Sequence, residues 1–351
     1  MARKLWQRQI LARLPPPTCR PWPGPPALRT AARFALVGAS AGRYFFYMKK
    51  KTPPLQPPAD RPAAPPDTGW RQAALQAGAV EHYEDAVLYD HEYKRRRDDV
   101  NWYRALARQV GAGQRGGRPL RVLELGCGSG RLLVPLLRDG CEVLGVDRSA
   151  AMLARCAEKL GRTSRAAQGR AQLVRADFRA LPLGEPAAAR FPLVICPFNG
   201  FMHLYTRHDV EQCLAEVRRL LAPGGLFALD VLNPDPGWLA RDPLRRWSRT
   251  RFRHPGTGER LVYTTNHVYD AAAQIAWIRI YYEADPKADA AAAARPSPPH
   301  TVQLTHRQFY PAELEALLHY NGFTIVQSAG GFDGQPISSV SAEQVICARA
   351  R

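Results

Sequence analysis

No apolar run in this 351-residue chain reaches the roughly 20 residues that a bilayer-spanning helix needs, so nothing in it reads as a membrane span. There is no C-x-x-C pair and no cysteine–histidine cluster. The seven cysteines, Cys19, Cys127, Cys141, Cys156, Cys196, Cys213 and Cys347, are scattered and odd in number. That spacing offers no zinc ligand set, so no metal is expected, and it favours reduced thiols in a cytoplasmic protein. No internal repeat is visible. Acidic residues are missing from positions 1–59, which hold eleven of the 49 Lys and Arg. The remaining 38 basic residues face 31 acidic ones, so only +7 of the net charge of +18 belongs to the rest of the chain. The basic balance is therefore a property of the leading segment more than of the folded body.

That segment, residues 1–67, is rich in Pro, Arg and Ala, with Pro15-Pro16-Pro17 and Pro65-Pro66. It lacks the apolar area to offset its ordering entropy, and a disordered basic extension is expected. Its Arg-rich, acid-free composition also fits a transit peptide, and its charge fits nucleic acid or anionic lipid. A third reading is a translation start at Met48, just before Lys49-Lys50-Lys51.

The folded part is expected over 68–351, as an α/β domain. Residues 80–110 read as helix, and Gly111 to Gly117 as a linker. Strands are expected at Leu120–Leu125, Glu142–Val146, Gln172–Arg175, Phe191–Pro197 and Leu226–Val231, with helices at 130–138, 150–160 and 207–221 between them. This alternation argues for a parallel sheet of right-handed crossovers. Ala222-Pro223-Gly224-Gly225 reads as a turn. Residues 233–308 break the rhythm. Arg260–Tyr269 and Gln274–Tyr282 read as an antiparallel pair, and Thr301–Phe309 as a third strand. A helix at 311–320 and strands at Phe323–Ser328 and Gln344–Ala348 complete the chain.

The chemistry centres on Leu120 to Leu132, a strand followed by Gly126, Gly128 and Gly130 on alternate positions and then a helix. Glycines there let the chain turn tightly and let a ligand approach the backbone. The helix start offers free N–H groups to an anion. The spacing is G-x-G-x-G, unlike the G-x-G-x-x-G of dinucleotide folds. Glu124 stands two positions before the first glycine. Asp147 follows 21 residues after Gly126, at the end of the second strand, where a carboxylate is placed to accept both hydroxyls of a ribose. Asp177 ends the third strand, within reach of an adenine amino group.

Glu124-x-Gly-x-Gly-x-Gly, Val143 to Asp147, Arg175-Ala176-Asp177 and Leu221 to Asp230 resemble the class I S-adenosylmethionine-dependent methyltransferase family over residues 80–350. The resemblance implies a Rossmann-like seven-stranded sheet, order 3-2-1-4-5-7-6, with its last strand antiparallel and the β-rich insert at 233–308 as a lid. It implies S-adenosylmethionine as cofactor. Gly126, Gly128 and Gly130 would line its methionyl and ribose portion, Asp147 would hold the ribose, and Asp177 with Phe178 would flank the adenine. Glu124, Cys127, Arg148, Met152 and Pro197 are expected on the same cofactor side. The family's aspartate early in the fourth strand is absent here, where Pro192 stands. Residues 197–205 and the insert look like small-molecule methyltransferases such as the amino-sugar N-methyltransferases.

Methyl transfer to a protonated nucleophile calls for a base near neutral pKa. His203, after the fourth strand, is the first candidate, and Asp230 or Asn233, around the end of the fifth, would orient the nucleophile. Tyr89, Asn199, His267 and Arg307 are expected to touch substrate. The sequence thus points to methyl transfer onto N or O of a small polar metabolite. RNA methylation through the basic tail, a non-catalytic cofactor-binding regulator and a dinucleotide oxidoreductase stand as alternatives. The Asn/Asp-Pro-Pro-Tyr signature of base-amine methylation is absent, which weakens a DNA N-methylating reading; nucleic acid is expected as a partner only through the basic tail, if at all.

Overall fold

The computed structural model describes residues 69–114, 117–184, 190–287 and 300–351, so the basic extension lies outside the described residues. Among them, no helix is long and apolar enough to cross a membrane.

The expected single helix over 80–110 is three pieces. After α1 (Gly69–Gly78) comes a short turn, Glu81–Tyr83, then α2 (Ala86–Tyr93) and α3 (Asp98–Ala112). Asp85 restarts the helix by accepting the Val87 and Leu88 backbone N–H groups, which would otherwise lack partners. The charged run from Lys94 separates α2 from α3.

The strands β1 (Arg121–Leu125), β2 (Glu142–Asp147), β3 (Ala171–Arg175), β4 (Phe191–Cys196) and β5 (Leu221–Leu232) alternate with α4 (Leu133–Arg138), α5 (Ala150–Gly161), α6 (Arg165–Gln168) and α7 (Arg207–Leu220). Ser149 caps α5 by accepting the Met152 N–H at 3.2 Å. Thr206 and Asp209 form a reciprocal capping box on α7. After α8 (Pro236–Leu239) come β6 (Trp247–Arg253), β7 (Arg260–Asp270), β8 (Ile275–Ala284) and β9 (His300–Arg307), then α9 (Pro311–Tyr320), β10 (Phe323–Ala329) and β11 (Glu343–Ala350).

The large sheet has seven strands in the order β3-β2-β1-β4-β5-β11-β10, with β11 antiparallel to both its neighbours. This is the expected order. Its central strands are apolar on both faces, as sheets covered by helices on both sides require. Leu123, Leu125 and Val194 pack on one face with Leu214 and Val217 of α7 and Leu314 and Leu318 of α9. Val122, Leu193 and Ile195 pack on the other with Tyr103 of α3, Leu136 and Leu137 of α4 and Cys156 of α5.

Two expectations need correction. The Ala222-Pro223-Gly224-Gly225 turn is absorbed into β5, where left-handed Gly224 accompanies a register shift against β4. The insert holds four strands rather than three, ordered β6-β7-β8-β9 and antiparallel throughout. The unexpected β6 is an arginine-rich edge strand, mostly exposed, so no apolar alternation marks it. This second sheet packs Ile280, Tyr282, Val302 and Leu304 against Leu88 of α2.

Candidate functional site

The parallel strands end at a cleft of about 960 Å³, counted out to its open mouth. This is the carboxyl edge, where ligands of open α/β sheets bind. The cleft gathers the glycine loop, the ends of β2, β3 and β4, and aromatic residues from the segment before β1.

The glycines divide their work. At Gly126 and Gly128, both left-handed, an added Cβ would meet nothing within 4 Å, so the backbone there is open to a ligand. At Gly130 a Cβ would lie 2.6 Å from Cys156 Sγ, and Gly130 does not line the cleft. Its role is close packing of the loop on α5, which corrects the expectation of a ligand contact. The Cys127 side chain packs on the sheet too: a Cβ at Gly145 of β2 would lie 2.9 Å from its Sγ. Burial, then the nearby carboxylates, raises that thiol well above its ordinary range.

Asp147 holds the loop in place. Its Oδ2 accepts the Gly128 N–H at 2.7 Å and its Oδ1 accepts the Ser149 N–H at 2.8 Å. A carboxylate has about four lone-pair sites, so capacity for a ligand remains beyond these bonds. Burial nonetheless raises its pKa above the usual carboxylate value. Glu124, at the foot of the loop, is 1% exposed. Its Oε2 has no hydrogen-bond partner, and burial pushes its carboxyl up to about 8. Asp177 is committed differently. Arg179 grips both of its oxygens and also reaches Asp209 at 2.5 Å. Burial opposes ionisation of Asp177, but these bonds outweigh it and hold its pKa low. Arg148, Met152, Phe178 and Pro197 line the cleft as expected.

Sequence reasoning passed over Arg131, which directly follows the third glycine and lines the cleft. Asp99 of α3 pairs with it through both carboxylate oxygens, and its guanidinium lies 4.3 Å from the Phe198 ring centre. A cation at the entry of the helix was the available signal. Ser129 and Phe198 were missed as well. Tyr83 and Tyr89 line the cleft, their ring centres 5.7 Å apart, and Tyr93 packs against Tyr89 at 4.7 Å and edge-to-face against Phe198 at 4.9 Å.

His203 also lines the cleft, but both its nitrogens are engaged. Nε2 lies 2.7 Å from Tyr83 Oη and Nδ1 lies 3.1 Å from Tyr205 Oη. Burial, then neighbouring cations and histidines, holds it well below the ordinary imidazole range.

The remaining candidates sit away from the cleft. Asp230 is fully buried, its Oδ1 accepting the Tyr103 hydroxyl at 2.7 Å and the Phe198 N–H at 2.8 Å. It braces a left-handed turn at Phe198 (φ 55°) and Asn199 (φ 64°) and does not line the cleft, while its buried Oδ2 has no hydrogen-bond partner. Asn199 belongs to that turn and leaves the cleft lining to Phe198 and Gly200. Asn233 donates to the Ser341 carbonyl, tying the end of β5 to the segment before β11. His267 stacks on Trp238 at 3.8 Å and bonds its carbonyl at 2.8 Å. Arg307 pairs with Glu313 at 2.7 Å. None of these five lines the cleft. Among the described residues no cluster of His, Cys, Asp and Glu is arranged to hold a metal.

Residues 122–225 match a family profile described as a methyltransferase domain. A glycine/sarcosine N-methyltransferase of Parasynechococcus marenigrum is 36% identical over 117 residues, 32% of this chain and 38% of that protein. A malonyl-[acyl-carrier protein] O-methyltransferase of Enterobacter lignolyticus is 31% identical over 179 residues, 51% of this chain and 57% of that one. The chain thus spans about half the length of the curated relatives it matches, or less. Among solved structures, the CcbJ methyltransferase of Streptomyces caelestis superposes with a TM-score of 0.58 at 25% identity, covering 77% of this chain and 98% of that one. DesVI of Streptomyces venezuelae, at 20% identity and a TM-score of 0.54 over 76% and 98% of the two chains, shares the fold. Residues 122–225 thus match a methyltransferase domain, set in a seven-stranded sheet whose strand order is the one that the resemblance to class I S-adenosylmethionine-dependent methyltransferases implies.

Proposed function

We propose that the cleft binds S-adenosylmethionine and that the protein transfers its methyl group to N or O of a small polar metabolite in a reducing, cytoplasmic compartment. The observation that carries this reading is the unpartnered Glu124 Oε2 beneath the open Gly126 and Gly128 backbone. A buried carboxyl without a partner is costly unless a ligand completes it, and a cationic ligand suits it best.

When bound, the sulfonium cofactor supplies an activated methyl group for one in-line displacement. The chain's residues divide the remaining work. The free lone pairs of Asp147 receive the ribose hydroxyls. Glu124 faces the cationic portion. Arg131, held by Asp99, faces a carboxylate. Asp177 and Phe178 flank the adenine, with Arg179 fixing the orientation of Asp177. Tyr83, Tyr89 and Leu204 wall the acceptor side and exclude water, which strengthens each polar contact inside. His203 acts through Tyr83 and does not itself reach the acceptor. The similar proteins include both N- and O-methyltransferases, so both acceptor atoms stay within the proposal. The buried cysteines, all free among the described residues, suit a reducing compartment.

Calorimetric titration of the full chain with S-adenosylmethionine and, separately, NADH tests the reading. Saturable binding of the sulfonium compound supports it. Binding of NADH alone overturns it.

A further inference from the structure

A line of four polar side chains runs from the cleft to the second sheet. Tyr83 Oη lies 2.7 Å from His203 Nε2, and His203 Nδ1 lies 3.1 Å from Tyr205 Oη. Tyr205 Oη lies 2.6 Å from Thr305 Oγ1 and 3.3 Å from the Thr305 carbonyl. Thr305 Oγ1 reaches the Leu75 carbonyl of α1 at 3.5 Å. The first two members, Tyr83 and His203, line the cleft; Thr305, on β9, is 1% exposed.

Each hydroxyl and the neutral imidazole carry one proton, so the line has two self-consistent senses. In the outward sense Tyr83 donates to Nε2, Nδ1–H donates to Tyr205, and Tyr205 donates to Thr305. The Thr305 proton then goes to the Leu75 carbonyl, and no proton is left over. In the inward sense every bond reverses, and the Tyr83 proton points into the cleft with no partner among the described residues. Two acceptors on Thr305 compete for the single Tyr205 proton, and a carbonyl accepts only. Both facts favour the outward sense. The groups facing His203 are Tyr83, Tyr205 and, at 5.2 Å between ring centres, His306 of β9; His82 and Arg148 act on it from further off. Burial holds His203 and His306 neutral, which keeps one ring proton on His203 at neutral pH.

We propose that Tyr205, anchored on Thr305 of the second sheet, sets the sense of this chain, so that Tyr83 Oη meets the methyl acceptor with lone pairs only. Tyr205 and His203 are positioning residues here, and Tyr83 is the group that touches substrate. A nucleophile that carries a proton, an amine N–H or a hydroxyl O–H, donates to Tyr83 and is thereby oriented. A group that offers only lone pairs, such as a carboxylate, meets Tyr83 lone pair to lone pair and is rejected. This rests on the proposed function, whose acceptor site it describes.

The test is the ring tautomer of His203 in the full chain, read from two-bond ¹H–¹⁵N correlation spectra of ¹⁵N-labelled protein and assigned by its loss in His203→Gln. The wild type is expected to show a protonated Nδ1 and a bare Nε2. A protonated Nε2 overturns the inference, whatever the variants do. Tyr205→Phe removes the acceptor for Nδ1–H and is expected to move the proton to Nε2, whereas Thr305→Ser, which keeps both acceptors, leaves it on Nδ1. An unmoved proton in folded Tyr205→Phe also overturns it. S-adenosylmethionine titrated into the same samples separates the two claims. Absent binding with the expected tautomer removes the proposed function, and with it the acceptor role of Tyr83, while the sense of the chain stands; binding with the opposite tautomer removes this inference alone.

Discussion

Asp90 of α2 and Ser129 of the glycine loop are joined by a 2.6 Å hydrogen bond, and Lys159 and Arg155 of α5 close on the same carboxylate at 2.6 and 2.8 Å. One side chain thus clamps the helix that carries Tyr89 onto the loop that forms the floor of the cleft. Burial works against the charged Asp90, but its hydrogen bonds from Lys159, Ser129 and Arg155 prevail and hold its pKa low. Asp90→Ala is expected to lower the affinity for S-adenosylmethionine while the two buried cores stay intact. Calorimetry, with circular dichroism as a check on folding, measures it. Unchanged affinity would mean that α2 keeps its place without the clamp.

Asp147→Ala removes the proposed ribose acceptor and the support of the Gly128 and Ser149 N–H groups together. Affinity for the cofactor should fall by roughly 1.5–3 kcal/mol, the range for a hydrogen bond to a charged group. Asp147→Asn keeps one acceptor oxygen and should fall less. Equal losses in the two variants would show that charge, and not the hydrogen-bond pattern, governs this position.

Glu124 should tie cofactor binding to pH. In the empty protein burial keeps its proton up to about pH 8. A cation placed against it favours the ionised form, so binding at pH 7 is expected to release a proton and to weaken as pH falls from 8 to 6. Titrations in buffers of different ionisation enthalpy read the proton directly. Stability of the empty protein has a matching sign. The unfolded chain ionises Glu124 above its ordinary pKa of 4.5 while the folded state keeps it protonated to about 8, so stability is lost as pH rises through that window. Glu124→Gln should raise the melting temperature at pH 8 and weaken cofactor binding. A variant that melts lower at pH 8 would refute the assignment.

Gly128 and Gly130 should separate when each is changed to Ala. Both substitutions strain a left-handed backbone by about 1–2 kcal/mol. At Gly130 the new methyl also meets Cys156 Sγ, so stability should fall further there. At Gly128 the methyl enters open space, so the main loss should be in cofactor binding. Melting curves and titrations of the two variants make the comparison.

Local signals carried the sheet and the residues gathered at its carboxyl edge. The glycine spacing, the carboxylates at strand ends and the apolar runs are all patterns within a few neighbouring residues. The positions that failed depend on register and on what packs opposite. Asp230 and Asp147 both stand near carboxyl ends of parallel strands, yet Asp230 turns to Tyr103 of α3, more than a hundred residues earlier in the chain. His267 and Arg307 read as substrate contacts because they are polar residues in a β-rich insert, but Trp238 and Glu313 engage them. The strand Trp247–Arg253 escaped notice because an exposed edge strand needs no apolar face. Arg131 was legible in principle, since it directly follows the third glycine.

The left-handed turn at Phe198 and Asn199 bears on how the protein can change. Asparagine tolerates that conformation, whereas phenylalanine does so at a cost of about 1–3 kcal/mol, and Asp230 maintains it from below. The strain is met when the chain folds, before any ligand arrives, so the Phe198 wall of the cleft stands ready-made. Glycine at position 198 would relax the backbone and remove the ring over which Arg131 and Arg96 lie. A search for more stable descendants of this sequence would therefore be drawn to a substitution that dismantles part of its own cleft, setting thermal robustness against function at a single residue.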